Sequence, residues 1–261
     1  MTIISLANVT KTFDSGYTAL RDVNLDVEAE RFVALVGPSG CGKSTTLSLI
    51  SGLDRPSSGT LTVRDRPVEG ITPGVGFLFQ RDALLPWKTV RDNVRLPLQL
   101  RGVDAAEMRR RVEEWIARVG LRGFEQSFPY QLSGGMRKRV ALAQTLVYDP
   151  EILLMDEPFA ALDVQTRNLM EGELLNLWQG SGKTVIFVTH DLEEAIALAD
   201  EVVVMTAGPA RVKARYEVTL PRPRDIEQVR FDPRFTELYA RMWNDLRDEV
   251  LESYARANAA G

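Results

Sequence analysis

Arg31-Phe-Val-Ala-Leu-Val36, Gly37-Pro-Ser-Gly-Cys-Gly-Lys-Ser44 and Thr45 to Ser51 decide the fold. The first stretch is a dense apolar run that suits a buried strand of a parallel sheet. It stops at Gly37. The apolar residues after the loop, Leu47, Leu49 and Ile50, can share one face of a helix, so the order is strand, Gly-rich loop, helix. Gly37, Pro38, Ser39, Gly40, Cys41, Gly42, Lys43, Ser44 and Thr45 therefore form a candidate phosphate cradle, with backbone amides turned inward and a helix N-terminus behind them. In that pattern Lys43 supplies the point charge, and the Ser44 hydroxyl is a ligand for Mg²⁺ bridging the terminal phosphates of a nucleotide.

The segments Ile3 to Val9 and Val23 to Val27 read as strands ahead of the loop, and residues 58–80 as further short strands. From about 90 to 148, Met108, Val112, Trp115, Ile116 and Val119 recur at helical spacing among Arg and Glu, which predicts an inserted helical subdomain. Glu151 to Met155 and Thr184 to Thr189 return to buried strands around a helix near Gln165 to Gln179. Phe235, Leu238, Met242, Leu246 and Val250 mark an amphipathic C-terminal helix. The predicted fold is α/β, a P-loop core with an N-terminal antiparallel β region and a helical insertion. Core and β region span about 1–89 and 149–215, and a tail with its helix spans about 216–261.

Composition narrows the function. With 32 Lys plus Arg against 36 Asp plus Glu, the formal charge is -4 and gives no general reason to expect a nucleic-acid partner. No apolar run approaches the roughly 20 residues of a spanning helix. The start, MTIISLANVT, is unlike a secretory signal, and one cysteine cannot form an internal disulfide, so a cytoplasmic location is expected. As the sole thiol, Cys41 is expected to let a maleimide block nucleotide binding, with bound nucleotide protecting; the alternative is a buried, inert thiol.

Ile152-Leu-Leu-Met-Asp156-Glu157 delivers two adjacent carboxylates at a strand end, where ligands sit in open α/β sheets. Asp156 is the candidate metal ligand, and Glu157 the candidate base for an attacking water. Leu132-Ser133-Gly134-Gly135-Met136 precedes a helix and makes a second, incomplete anion nest. Two incomplete cradles on one chain suggest that Ser133, Gly134 and Gly135 complete the nucleotide site of a partner molecule.

These motifs, in this order, resemble an ATP-binding-cassette (ABC) ATPase along nearly the whole chain. Gly37 to Ser44 is its Walker A motif, Leu132 to Met136 its signature, Asp156 and Glu157 end its Walker B motif, and Ala161-Leu162-Asp163 is its D-loop. The resemblance implies roles for Gln80, in Phe77-Leu-Phe-Gln80, at the metal and the γ-phosphate, and for His190, the only histidine, as the switch residue. It also implies an aromatic stacked on adenine. Phe13 aligns best with that position, and Tyr17 is its rival. Lys138 stands where many members have Gln, and Ala160 and Ala161 replace the Gly or Ser often seen in the D-loop.

Leu85-Pro86-Trp87, the Met136 ending, Met155-Asp-Glu-Pro-Phe159 and Leu220-Pro-Arg-Pro-Arg224 resemble the nitrate, sulfonate and taurine importer group. That resemblance implies ATP and Mg²⁺ as ligands, a second copy or a homologous ATPase as partner, and a separate transmembrane permease. An extracytoplasmic solute-binding protein follows indirectly, as does a place on the cytoplasmic face of the membrane and a small anion or related organic solute. Trp87 is expected either to meet the permease or to cap the subdomain core. The alternative function is a soluble ABC machine acting on nucleic acid or ribosomes, which would carry a second cassette or a long coiled-coil insertion.

Overall fold

The computed structural model describes residues 1–259, with side-chain surroundings up to Ser253, so the last two residues of the tail segment lie outside it. Strands β1 (Thr2–Thr12), β2 (Thr18–Glu28), β4 (Ser58–Val63) and β5 (Arg66–Pro67) form an antiparallel sheet in the order β2-β1-β4-β5. A second sheet holds β3 (Phe32–Val36), β6 (Val75–Leu78), β7 (Ile152–Asp156), β8 (Thr184–Val188), β9 (Glu201–Met205) and β10 (Val212–Glu217). Its order is β10-β9-β3-β8-β7-β6, parallel except for the edge strand β10.

The five residues of β3 are buried because each face of the sheet meets its own core. Phe32, Ala34 and Val36 point into one, with Phe187, Met155 and Trp178. Val33 and Leu35 point into the other, with Leu47, Ile50 and the inward residues of the antiparallel sheet. A strand covered on both sides loses the polar alternation of a half-exposed one, which is why the run at Phe32–Val36 reads as continuous.

Helices α2 (Val90–Leu100), α3 (Ala105–Arg118) and α4 (Gly134–Leu146) make a third core from Val94, Leu98, Val112, Ile116, Val140 and Ala143. The helical spacing expected over Met108–Val119 is present, and the chain leaves the helix at Val119. Among the described residues no helix is long and apolar enough to cross a membrane.

The tail is more ordered than its prolines suggest. Between α5 (Val164–Trp178) and the last helix, α6 (Leu192–Leu198) ends with carbonyls that need donors. Buried Arg224 supplies them, donating to the carbonyls of Ala199 (2.6 Å), Ala197 (3.2 Å) and Ile196 (3.3 Å). Burial also pulls its guanidinium down to about 10. Helix α7 (Pro233–Ala259) then buries Phe235, Leu238, Met242 and Leu246 in the core beside α6, each side chain contributing about 2 kcal/mol by removal from water.

Candidate nucleotide site

Four neighbouring parallel strands, β3, β8, β7 and β6, end at the same edge of the sheet, the edge where open α/β sheets bind ligands. The loop Gly37–Gly42 leaves β3 and enters α1 (Lys43–Ser51) through Gly42, whose left-handed φ of 111° favours glycine. A side chain at Gly42 would also meet the Ala19 carbonyl at 2.9 Å. Lys43 is buried, and its ammonium curls into the loop, donating to the Gly37 carbonyl (2.8 Å) and the Pro38 carbonyl (2.9 Å). The cation thus sits inside the ring of backbone that precedes the helix.

Ser44 Oγ donates to Asp156 Oδ1 at 2.9 Å, which joins the helix start to the end of β7. Burial holds the Asp156 carboxyl above its ordinary value, with adjacent Glu157 adding to the effect against the Ser44 hydrogen bond and Lys43. Hydroxyl and carboxylate oxygens are the hard donors that Mg²⁺ prefers, so this pair fits that ion. Glu157 has a left-handed φ of 43°, uncommon for a side-chain-bearing residue, and its N–H donates to the Val188 carbonyl at 2.9 Å. That conformation turns the carboxylate toward two other strand ends. Gln80 Nε2 donates to Glu157 Oε2 at 3.2 Å, and His190 Nδ1 lies 3.3 Å from the same oxygen.

Lys43, Ser44, Asp156, Glu157, Gln80 and His190 are therefore gathered at one sheet edge. Ser133, Gly134 and Gly135 are elsewhere in the hydrogen-bond pattern. Ser133 caps α4, its hydroxyl accepting from the Met136 N–H at 3.2 Å, and a side chain at Gly135 would meet the Thr166 methyl at 2.7 Å.

Both aromatic candidates lie on the turn between β1 and β2. Phe13 and Tyr17 stack with ring centroids 6.4 Å apart, but it is Tyr17 whose hydroxyl reaches the phosphate loop, donating to the Gly40 carbonyl at 3.1 Å. For Cys41 the structure favours the alternative of a buried, inert thiol. Cys41 is buried, and burial pushes its thiol up against the pull of Lys43, so little thiolate is available or accessible. Its place in the loop is a matter of backbone.

Three features were not read from the sequence. Arg167, from α5, links the D-loop to the turn after His190, with Nη1 3.2 Å from Asp191 Oδ2 and Nη2 3.4 Å from the Leu162 carbonyl. Leu246, Val250 and Ser253 of α7 wall a cavity of about 310 Å³ whose other side is Gly37, Pro38, Ser39 and His190. Buried Asn93 holds the turn before α2 by bonds to Leu85, Lys88 and Thr89, and so displays Trp87, which is 71% exposed. Arg and Asn side chains announce such contacts by no local pattern.

A strand, a glycine turn around a buried lysine, and a Ser–Asp pair beside a second carboxylate define a P-loop nucleotide hydrolase. The family model for ABC transporters matches residues 20–160, and the chain belongs to that family. It is 46% identical over 200 residues to the taurine import ATP-binding protein TauB of Yersinia pestis, covering 77% of this chain and 78% of that one. To the nitrate import ATP-binding protein NrtD of Synechococcus elongatus it is 43% identical over 236 residues, covering 88% and 86%. Among solved structures, the ATP-binding cassette MJ0796, a dimer in a post-hydrolysis state with ADP and Pi, superposes with a TM-score of 0.74 at 33% identity. That match covers 84% of this chain and all of that one. The chain is an ATPase of the ABC type.

Proposed function

We propose that this chain is the ATP-hydrolysing subunit of an importer for a small anion of the nitrate, sulfonate or taurine kind, working as a pair beneath a membrane permease. Solute would reach that permease from an extracytoplasmic binding protein. The importer reading is supported by the two relatives' names and by the exposed Trp87 next to the Gln80 strand end. As an amphipathic aromatic on a braced turn, Trp87 has the character of an interface anchor at the cytoplasmic face of the membrane.

The observation that carries hydrolysis is the meeting of Gln80, Glu157 and His190 on one carboxylate oxygen at the mouth of the phosphate loop. Lys43 releases the Gly37 and Pro38 carbonyls to bind phosphate. Ser44 and Asp156, together with Gln80, would hold Mg²⁺, which when bound would supply charge neutralisation of the terminal phosphates. Glu157 accepts the proton of the attacking water, and His190 contacts the γ-phosphate and orients that carboxylate. Phe13 stacks on adenine, while the amides of Gly37, Pro38, Ser39, Gly40, Cys41, Gly42 and Thr45 enclose the phosphates. Ser133, Gly134 and Gly135 of a second copy close the site, so two nucleotides lie in a two-fold dimer interface.

Glu157→Gln tests this directly. The amide keeps the side chain's shape but cannot take the proton, so turnover should fall by about 10²-fold or more while nucleotide affinity survives. The arrested protein should accumulate as a dimer with MgATP on sizing. Hydrolysis at the unmodified rate would remove Glu157 from the mechanism.

A further inference from the structure

Lys138 is only 4% exposed. A buried ammonium is costly unless it is paired and hydrogen-bonded, and this one is both. Nζ donates to the Gln80 carbonyl at 2.7 Å and lies 3.0 Å from Asp82 Oδ1. The other Asp82 oxygen meets Arg137 Nε at 3.3 Å, and Arg137 Nη1 donates to the Leu132 carbonyl at 2.8 Å. The contacts run without a gap from the backbone of Gln80 to the residue before Ser133.

A glutamine at position 138 could satisfy the Gln80 carbonyl but could not neutralise Asp82. The lysine therefore adds a charged tie between the strand end of β6 and the N-terminus of α4. We propose that Lys138 is a positioning residue that makes the Gln80 loop and the Ser133–Gly135 cradle move as one body. The state of a protomer's own phosphate loop is thereby passed to the cradle it offers its partner. The inference rests on the reading of Gln80 and of the second cradle given above.

Coupling of this kind has to be shown as a difference in linked equilibria. In full-length Glu157→Gln protein, a fluorescent ATP analogue titrated into dilute monomer reads the first cradle alone. Sedimentation with MgATP reads the closure that needs both. Lys138→Met, which removes the charge at similar length, should leave monomer affinity within about 2-fold and weaken dimerisation by about 10-fold, inside the usual range for coupled sites. Lys138→Arg should recover most of the loss. Lys138→Met with Asp82→Asn should lose less than the two single losses added together, because both break the Lys138–Asp82 pair.

Dimerisation of Lys138→Met equal to its parent overturns the proposal. So does a parallel loss of monomer affinity, which would mark a general packing defect. Should Lys138→Met fail to fold, Asp82→Asn takes its place in both measurements, and the same results support or overturn the tie. Failure of the Glu157→Gln parent itself to dimerise would instead sink the two-copy site on which the proposal stands.

Discussion

The two glycine turns proposed as anion cradles in this chain are built differently. The loop Gly37–Ser44 follows a fully buried strand, encloses the Lys43 ammonium, and is braced from outside by the Tyr17 hydroxyl on Gly40. The turn Ser133–Gly135 has helix N–H groups, its serine hydroxyl is engaged in capping α4, and its cation is not enclosed by the turn but reaches it from the next turn of the helix, with Arg137 Nη2 lying beside Gly134. Lys138 is committed to Asp82 and the Gln80 carbonyl, and Arg137 spends Nε and Nη1 on Asp82 and the Leu132 carbonyl. Helix dipole and amides alone attract an anion by at most a kcal/mol or two, whereas a charge-assisted hydrogen bond adds about 1.5–3 kcal/mol. On the reading proposed above, the first cradle would hold a nucleotide in a monomer, and the second would only favour one that is already held.

That asymmetry breaks most visibly at Lys43. Lys43→Ala removes the charge from the first cradle and should weaken nucleotide binding to the monomer by about 10²-fold, from the loss of one or two charge-assisted bonds. Isothermal titration with MgATP checks it. Near-normal affinity would mean that the amides suffice and that the two turns are equivalent. Ser133→Arg makes the complementary cut. Placed in the Glu157→Gln background, it should leave monomer affinity within about 2-fold and abolish the MgATP-driven dimer, since a bulky side chain fills the second cradle. Loss of monomer binding in Ser133→Arg would place that turn in its own chain's site.

The same contrast shows what could be read in advance. The first cradle is contiguous, so a buried strand, glycines, Lys43, Ser44 and a helix pattern all appear in one stretch. Fold class was legible for the same reason, because continuous apolar runs at Phe32–Val36, Ile152–Met155 and Thr184–Val188 mark strands covered on both faces. Contacts made across the fold left no such trace. The left-handed turn of Glu157, the Arg224 cap on α6, the Tyr17 bond to Gly40 and the Lys138 tie to Asp82 join residues from separate elements. Their side-chain types occur equally on open surfaces. Cys41 shows the reverse error: its position in the loop was plain, but its burial depended on strands far away in sequence.

Outside both cradles, exposed Trp87 offers a test that separates nucleotide handling from the proposed membrane coupling. Trp87→Ala removes an exposed anchor from a turn that Asn93 continues to hold. A central aromatic of this kind is worth about 2 kcal/mol or more at an interface, so co-purification with the permease should fall by roughly 30-fold in apparent affinity. ATP affinity and the ATP-driven dimer of Glu157→Gln should be unchanged. If nucleotide affinity drops instead, the Trp87 turn belongs to the packing of the site.

The finest cut concerns the outer brace of the first cradle, the Tyr17 hydroxyl on the Gly40 carbonyl. Tyr17→Phe deletes one hydroxyl while keeping the ring stacked on Phe13, so its cost isolates the bond to the Gly40 carbonyl. A neutral hydrogen bond near the surface contributes about 0.5–1.5 kcal/mol, which sets the expected loss of nucleotide affinity at roughly 2- to 10-fold. Phe13→Ala removes base stacking instead and should cost more, because stacking on an aromatic is worth about 1–3 kcal/mol per base. Titrating each variant with ATP and with inorganic triphosphate separates the two. The Tyr17→Phe loss should appear with both ligands, since the brace acts on the phosphate loop. The Phe13→Ala loss should appear with ATP alone. A Tyr17→Phe defect confined to ATP would make Tyr17, not Phe13, the residue that meets the base.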